Sequence, residues 1–151
     1  MSPAIIPIPA VNIAVLNPEG ELLLTLRSDK VREPGKWCLP GGHIELGEDW
    51  ATAMRRELVE ETGLVAEDYR LVGIYSDPGL TVTPMPVQGG SRAQYVVALF
   101  LVTRFTGSVC PNDEVADWDW FPADHLPEPI IPSHPVRALD AVSFNGEAFV
   151  R

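Results

Sequence analysis

One segment of 23 residues, Gly42–Leu64, constrains the fold of this chain more than any other part of its sequence. It contains the strongest helix signal, Glu48–Thr62, which opens on Glu48 and Asp49 and ends before Gly63. Acidic residues are favourable at the positive end of a helix dipole, and glycine commonly follows the last helical residue. We therefore predict a helix over Glu48–Thr62.

One face of this helix is apolar and is predicted to pack on a sheet, because Ala51, Met54 and Leu58 recur every three or four positions. Just before the helix, Leu39-Pro40-Gly41-Gly42 carries two adjacent glycines. Glycine permits backbone geometry closed to other residues and lets a ligand approach main-chain atoms. Taken alone, the pair also fits an ordinary tight turn.

A neighbouring arc of the same helix carries three carboxylates, those of Glu57, Glu60 and Glu61. Like charges at this spacing destabilise a helix by about 0.2–0.5 kcal/mol per pair. Arg56, four residues before Glu60, is placed to orient it, but one arginine does not neutralise three acids. A hard divalent cation with oxygen ligands, Mg²⁺ or Mn²⁺, would. A solvated acidic face is the alternative interpretation.

Composition favours one globular domain over residues 1–151 that acts on a small molecule. Apolar residues make up 46% of the chain, too many for a disordered polymer, and the net charge is −10. That charge repels a phosphate backbone, so no nucleic-acid partner is expected. A small anionic substrate is repelled as well, unless metal cations screen it.

The cysteines and the N-terminus predict a cytoplasmic protein. Two cysteines, Cys38 and Cys110, without a CxxC pair give neither a disulfide framework nor a zinc site. The apolar start of the chain lacks a basic region and is too short to cross a membrane, so no membrane association is expected.

Alternating or β-branched runs separated by turn residues predict strands. They are Val11–Leu16, Glu21–Arg27, Trp37–Pro40, Arg70–Ser76, Ala93–Thr103 and Trp118–Phe121. The first two, joined by the turn Asn17-Pro18-Glu19-Gly20, are predicted to form a hairpin. Asp77–Ser91 is predicted to be a loop and Ala138–Val142 part of a weak helix. Because helices and strands do not alternate regularly, the pattern favours the α+β class.

The segment Gly42–Leu64 resembles the signature of the Nudix hydrolase superfamily, which includes MutT-like proteins. That signature reads G-x5-E-x7-R-E-U-x-E-E-x-G-U, with U apolar, and all seven fixed residues and both apolar positions are met. A motif of this length is far more specific than a short glycine pattern. The resemblance implies an α/β/α sandwich with a mixed sheet.

The resemblance also implies roles for the matched residues. Glu57, Glu60 and Glu61 would be metal ligands, together with the carbonyl oxygen of Gly41. Arg56 would hold the glutamates by ion pairing, and Glu48 would support the site from the helix start. Catalysis would depend on Glu57, Glu61 and Arg56. The general base would be a glutamate of this motif such as Glu57, or Glu114, which precedes Trp118 and stands where relatives often carry a further acid.

Substrate choice lies outside this motif, and three patterns compete for it. Tyr75-Ser76-Asp77-Pro78 resembles a stretch in members that act on ADP-ribose, and Asp77 and Arg92 are its candidate substrate-binding residues. Pro after Asp is also plain turn chemistry. Arg27 lies in Leu23–Ser28, which resembles a coenzyme A-directed motif but departs from it by a one-residue shortening before Gly35. Three tryptophans either stack on a nucleotide base or pack in the core (Trp37, Trp118 and Trp120).

The sequence thus favours Mg²⁺-dependent cleavage of a nucleoside diphosphate derivative, with ADP-ribose or a nucleotide sugar first. A nucleoside triphosphate or coenzyme A pyrophosphatase is the alternative enzyme. A non-catalytic Nudix-fold sensor is the alternative from another class, although the intact acidic cluster favours catalysis. The resemblance also allows a homodimer.

Overall fold

The computed structural model describes residues 6–84 and 92–151. Its strands are β1 (Ile8–Val15), β2 (Leu22–Arg27), β3 (Trp37–Cys38), β4 (Gly41–His43), β5 (Val65–Ala66), β6 (Arg70–Tyr75), β7 (Val82–Pro84), β8 (Arg92–Val102), β9 (Phe105–Thr106), β10 (Val115–Phe121) and β11 (Phe149–Val150). Its helices are α1 (Trp50–Thr62), α2 (Pro78–Thr81) and α3 (His134–Val142). No helix among the described residues is long and apolar enough to cross a membrane.

The larger sheet is mixed, with the strand order β11-β6-β8-β1-β4 and β7 paired to β8. β1 runs parallel to β8 and antiparallel to β4, and β6 runs antiparallel to β8. A smaller antiparallel sheet has the order β10-β2-β3, and β5 pairs with β9. This arrangement confirms the predicted α+β class with a mixed sheet.

Strand β1 has an apolar layer on each of its faces. Val11, Ile13 and Val15 pack in one cluster with the buried side chains of α1, whereas Ala10 and Ala14 pack in another with those of α3. Successive side chains of a strand point to opposite faces, so one continuous apolar run serves both layers. The layers place α1 and α3 on opposite sides of this sheet.

Helix α1 begins two residues later than predicted, at Trp50, because Asp49 is its N-cap and accepts a hydrogen bond from the Thr52 N–H at 2.8 Å. Glu48 therefore precedes the helix. Gly63 ends it in the left-handed region, at φ 76°, and its N–H donates to the Val59 carbonyl oxygen, as the glycine predicted.

The predicted apolar stripe of α1 is partly wrong. Met54 and Leu58 are fully buried, but Ala51 is only half-buried, and Ala53 takes its place in the core. Glu57 is also buried, since it lies three and four residues after Met54 and Ala53. One carboxylate of the acidic arc thus belongs to the buried side of the helix.

The predicted hairpin of the first two strands is wrong, although its turn forms with the Gly20 N–H donating to the Asn17 carbonyl oxygen. β1 and β2 belong to different sheets and meet only at the bridge between Leu16 and Leu22. The physical reason is that β1 uses both edges for β8 and β4, which leaves none for β2.

Other boundaries differ in smaller ways. The predicted loop Asp77–Ser91 contains α2 and β7, and its residues 85–91 lie outside the described part of the chain. The segment Ala138–Val142, predicted to be part of a weak helix, is confirmed as the end of a helix that starts at His134, where Pro135 occupies the first turn and no N–H is needed. The two- and three-residue strands β4, β5, β7, β9 and β11 were too short for any periodic signal.

Candidate active site

The Arg56 guanidinium joins the start of α1 to its acidic face. Its Nε and Nη2 donate to the Glu48 carboxylate at 2.7 and 2.9 Å, and Nη2 also donates to the His43 carbonyl oxygen at 3.0 Å. Its Nη1 donates to Glu57 Oε1 at 2.9 Å and to Glu60 Oε2 at 3.1 Å. Arg56 thus contacts Glu60, as the sequence predicted, and also Glu48 and Glu57. Its hydrogen bond lowers the pKa of Glu48 to about 2.

The Glu57 carboxylate lies directly against Gly42, in the space that a side chain at position 42 would occupy. An ideal Cβ on Gly42 would stand 2.5 Å from Glu57 Cδ and 2.7 Å from Oε2, and closer still to Oε1. Burial raises the pKa of Glu57 against the opposing effect of Arg56, and the charges of Glu60 and Glu114 raise it further. The second glycine of the pair is therefore needed for carboxylate placement.

Glu61 is tied to the first glycine of the pair. Its Oε2 accepts the Gly41 N–H at 3.0 Å. Burial is the largest cause that raises the pKa of Glu61 to about 8, and the charges of Glu57 and Glu114 add to it. A buried and a partly buried carboxylate with raised pKa values, each set against a glycine backbone, mark a place where negative charge lacks compensation.

Glu114 and Arg27 both come close enough to act on this cluster electrostatically. Glu114 is exposed, and its charge raises the pKa of Glu57 and of Glu61. Arg27 lowers the pKa of Glu61, while its Nη1 lies 3.9 Å from Cys38 Sγ and its Nε donates to the Arg32 carbonyl oxygen. The structure thus brings together Glu57, Glu61, Glu114 and Arg27 from three separate parts of the chain.

The donor set fits a divalent cation in its chemistry, since it offers several carboxylate oxygens, and Arg56 is the guanidinium hydrogen-bonded to them among the described residues. In the part of the chain that the structure describes, however, no three acidic, His or Cys side chains stand ready as a metal cage. Glu57 and Glu60 are held by Arg56, and Glu61 by Gly41. Ligation by these acids and by the Gly41 carbonyl oxygen stays a prediction.

The predicted substrate-binding acid Asp77 lies at the end of β6, where its Oδ1 accepts the Gly79 N–H at 2.9 Å in a local turn. It lines a cavity together with Tyr75. Arg92 is the first residue of β8, but its side chain lies outside the described residues.

The three tryptophans are partly buried and pack against the two apolar clusters. Trp37 makes an edge contact with Phe121 at 5.0 Å between ring centroids, and Trp120 stacks with Phe105 at 6.1 Å. These contacts show the packing role, and stacking on a nucleotide base stays a prediction.

Sequence reasoning missed a second polar group, on α3. His134 Nδ1 accepts the Leu39 N–H at 2.9 Å and so fixes the loop that leads into Gly41, while Arg137 donates to Asn12 Oδ1 at 2.7 Å. The two residues of the first hydrogen bond lie 95 positions apart in the sequence and those of the second lie 125 apart, so no local sequence pattern predicts either contact.

Comparison with known proteins agrees with the motif. A family model described as the NUDIX domain matches residues 7–140. An ADP-ribose pyrophosphatase of Methanocaldococcus jannaschii is 29% identical over 80% of this chain, which spans 66% of that relative, just under two thirds. An RNA pyrophosphohydrolase of Erythrobacter litoralis is 31% identical over 80% of this chain and 79% of its own length. The crystal structure of a MutT NUDIX hydrolase from Burkholderia pseudomallei, 26% identical, superposes with a TM-score of 0.74 over 91% of this chain and 99% of that one.

Proposed function

The chain belongs to the Nudix hydrolase family, and from this we propose that it hydrolyses the pyrophosphate linkage of a nucleoside diphosphate derivative with a divalent cation. The observation that carries the proposal is a pair of carboxylates, the buried Glu57 and the partly buried Glu61, each placed against one glycine of the Gly41-Gly42 pair. Both acids belong to the matched motif, and burial raises the pKa of both, which a bound cation would reverse.

Mg²⁺ is the proposed cation, and Mn²⁺ is expected to substitute for it. Glu57, Glu60, Glu61 and the Gly41 carbonyl oxygen would hold it. When bound, a divalent cation neutralises charge on phosphate oxygens and lowers the pKa of the attacking water. Arg56 keeps the carboxylates in position through its hydrogen bonds to Glu57 and Glu60.

The general base is proposed to be Glu114 or Glu57. Glu114 is exposed, close enough to Glu57 and Glu61 to raise their pKa values, and free of Arg56, so it can accept a proton from a water molecule beside the cluster. Glu57 is the alternative general base, because it interacts with Glu60, Glu61 and Glu114. Glu114→Gln tests the choice: a loss of kcat by about 10²-fold or more with unchanged metal affinity assigns the base to Glu114.

The proposed substrate is ADP-ribose or a nucleotide sugar. Support comes from Asp77, which lines a cavity of about 350 Å³ where β6 ends, and from the archaeal relative named an ADP-ribose pyrophosphatase. That volume falls within the usual range for small-molecule pockets, about 300–1,000 Å³. Arg27 and Arg92 remain proposed binding residues.

A substrate panel tests this directly. It would contain ADP-ribose, UDP-glucose, coenzyme A, a deoxynucleoside triphosphate and RNA with a 5′-triphosphate, the last because of the RNA pyrophosphohydrolase relatives. We expect the highest kcat/KM for ADP-ribose or UDP-glucose, with AMP or UMP as a product. The net charge of −10 argues against RNA. A triphosphate or coenzyme A as best substrate would overturn the substrate proposal, and ligand binding without turnover would favour a sensor.

The role of Asp77 has its own test. Replacing Asp77 and Pro78 by Ala is expected to raise KM for the best substrate more than it lowers kcat, which is the mark of lost binding. Asp68→Ala is a matched control, because Asp68 caps the turn at Thr103 and Arg104 far along the chain. An equal loss of kcat in both variants would contradict a binding role for Asp77.

Two smaller parts complete the proposal. The chain is proposed to form a homodimer, which light scattering after gel filtration would show as twice the 16.5 kDa mass. The cytoplasm is proposed as its compartment, because Cys38 and Cys110 are free thiols and one of them is exposed.

A further inference from the structure

Arg137 on α3 is a buried cation with almost none of its hydrogen-bonding capacity used. The residue is 4% exposed. A guanidinium has five N–H donors, and here Nη1 donates to Asn12 Oδ1 at 2.7 Å while Nε, fully buried, has no partner. Burial lowers the pKa of Arg137 to about 10, so the group is still charged at neutral pH.

The nearest acid along the same helix is already committed to other groups. Asp140 Oδ2 accepts from the Tyr75 hydroxyl at 2.7 Å and from Arg151 Nε at 2.8 Å, and its Oδ1 accepts from Arg151 Nη2 at 3.0 Å. Among the described residues, no carboxylate forms an ion pair with Arg137. A buried charge without a counter-charge is strongly unfavourable, so an anion bound beside Arg137 would stabilise the folded protein.

Arg137 lines a cavity of about 350 Å³. Its lining includes Tyr75, Asp77, Thr81, Ser133 and Arg151. The Arg137 guanidinium lies 5.2 Å from the centre of the Tyr75 ring, a cation–π contact that fixes its orientation. Arg151 is paired with Asp140 and Asp77 accepts a hydrogen bond from Gly79, whereas Arg137 forms no ion pair among the described residues.

The cavity is connected to the acidic cluster through two residues. Asn12, which accepts from Arg137, pairs with Gly41 in the register of β1 and β4. Gly41 in turn donates to Glu61. The residues that contact Arg137 and Glu61 are thus register partners in one strand pair.

We propose that this cavity binds an anionic oxygen group, a phosphate or a carboxylate, carried by the part of the substrate beyond its diphosphate, and that Arg137 is its binding residue. A neutral carbonyl or hydroxyl oxygen would accept a hydrogen bond from Arg137 but would leave its charge unpaired. An anionic oxygen would accept the hydrogen bond and also pair with the charge. The inference rests on the proposed function for the identity of the substrate. Within the proposed substrate class, it predicts tighter binding of nucleoside diphosphate derivatives that carry an additional acid group than of matched derivatives without one.

UDP-glucuronate and UDP-glucose form a matched pair of probes, because they differ only by a carboxylate in place of a hydroxymethyl group. Their dissociation constants would be measured by calorimetry with wild-type protein in EDTA, where no turnover occurs and the shared diphosphate contributes equally to both. We expect UDP-glucuronate to bind about 10-fold more tightly or better, as for a charge-assisted hydrogen bond. Equal affinities, or no binding of either sugar, would overturn the proposal.

Variants of Arg137 test whether this residue causes the preference for UDP-glucuronate. Arg137→Gln and Arg137→Met are expected to bring the affinity ratio close to one, and the Met variant should fold because an apolar side chain replaces an unpaired buried charge. Arg104→Gln is the control for loss of one positive charge, since Arg104 is exposed and paired with Asp68, and it should keep the ratio. A preference that survives in both Arg137 variants would refute the assignment.

Inorganic phosphate separates the two sources of the anion. Arg137-dependent binding of phosphate together with the UDP-glucuronate preference supports the proposal. Arg137-dependent phosphate binding without that preference would overturn the assignment to the substrate. Turnover is measured separately, so a preference without hydrolysis would refute the proposed function alone, and hydrolysis without a preference would refute this inference alone.

Discussion

Replacing Gly42 by Ala is predicted to damage the active site while leaving the fold nearly intact. The φ angle of Gly42 lies outside the left-handed region, so alanine is allowed there and the effect is purely steric. The new Cβ would stand 2.5 Å from Glu57 Cδ, and ordinary contact needs about 3.5 Å, so the carboxylate must move by about 1 Å.

The two costs of that movement differ in size. The Glu57 carboxylate is the end of a flexible side chain, so the free energy of unfolding should fall by less than about 1.5 kcal/mol. The displacement breaks its hydrogen bond with Arg56 Nη1, and a misplacement of about 1 Å at a reacting centre costs about 10²-fold in rate. That loss corresponds to about 2.7 kcal/mol of transition-state stabilisation.

The assay is kcat with the best substrate of the panel, alongside urea unfolding and Mn²⁺ affinity. Gly73→Ala is the matched control, because its Cβ would meet the Phe149 backbone carbonyl oxygen at 2.6 Å, and backbone atoms cannot swing aside. The control should lose stability but keep kcat per folded molecule. Full activity and full Mn²⁺ affinity in Gly42→Ala would show that the Glu57 carboxylate does not need its present position.

Four further outcomes are expected. Activity should disappear in EDTA and return with Mg²⁺ or Mn²⁺, and steady turnover in metal-free buffer would remove the cation from the mechanism. Glu61→Gln should lower kcat by about 10²–10⁴-fold. The same variant should abolish a pH effect that is measured in EDTA. Because the folded pKa of Glu61 is raised to about 8, its contribution to wild-type stability is complete below the unfolded pKa of about 4.3, declines by about 1.4 kcal/mol per pH unit between the two pKa values and is lost above 8. Identical urea midpoints of wild type and variant at pH 5 and pH 8 would contradict this. Leu58→Ala should lower the free energy of unfolding by about 2–5 kcal/mol, since Leu58 is fully buried, and an unchanged melting temperature would mean that the helix faces another way.

Much of the acidic cluster was predictable from sequence because its interactions are local or fixed by a long motif. The contact between Arg56 and Glu60 follows from a spacing of four residues, and the end of α1 follows from Gly63. The burial of Glu57 did not follow, because helical spacing gives the arc a residue occupies but not how far the core extends around the helix.

The pairing of distant segments was not predictable in the same way. The periodicity of β1 and β2 predicted two strands correctly, yet it carried no information about which sheet each would join. The contact between Arg137 and Asn12 spans 125 positions, and neither residue stands out in its own segment. The cavity beside them depends on α2 and β11 as well, whose lengths of four and two residues give no periodic signal.

The two-sided packing of strand β1 has a consequence for how such a chain can change its specificity. The β1 residues on one face pack against α1, the helix that carries the acidic cluster, and those on the other face pack against α3, which lines the cavity. If the proposed function holds, substitutions in α3 or at the C-terminus would reshape ligand preference, and those around α1 would alter the chemistry. Strand β1 separates most positions of the two sets, and the contacts of Asn12 with Gly41 and of His134 with Leu39 join them.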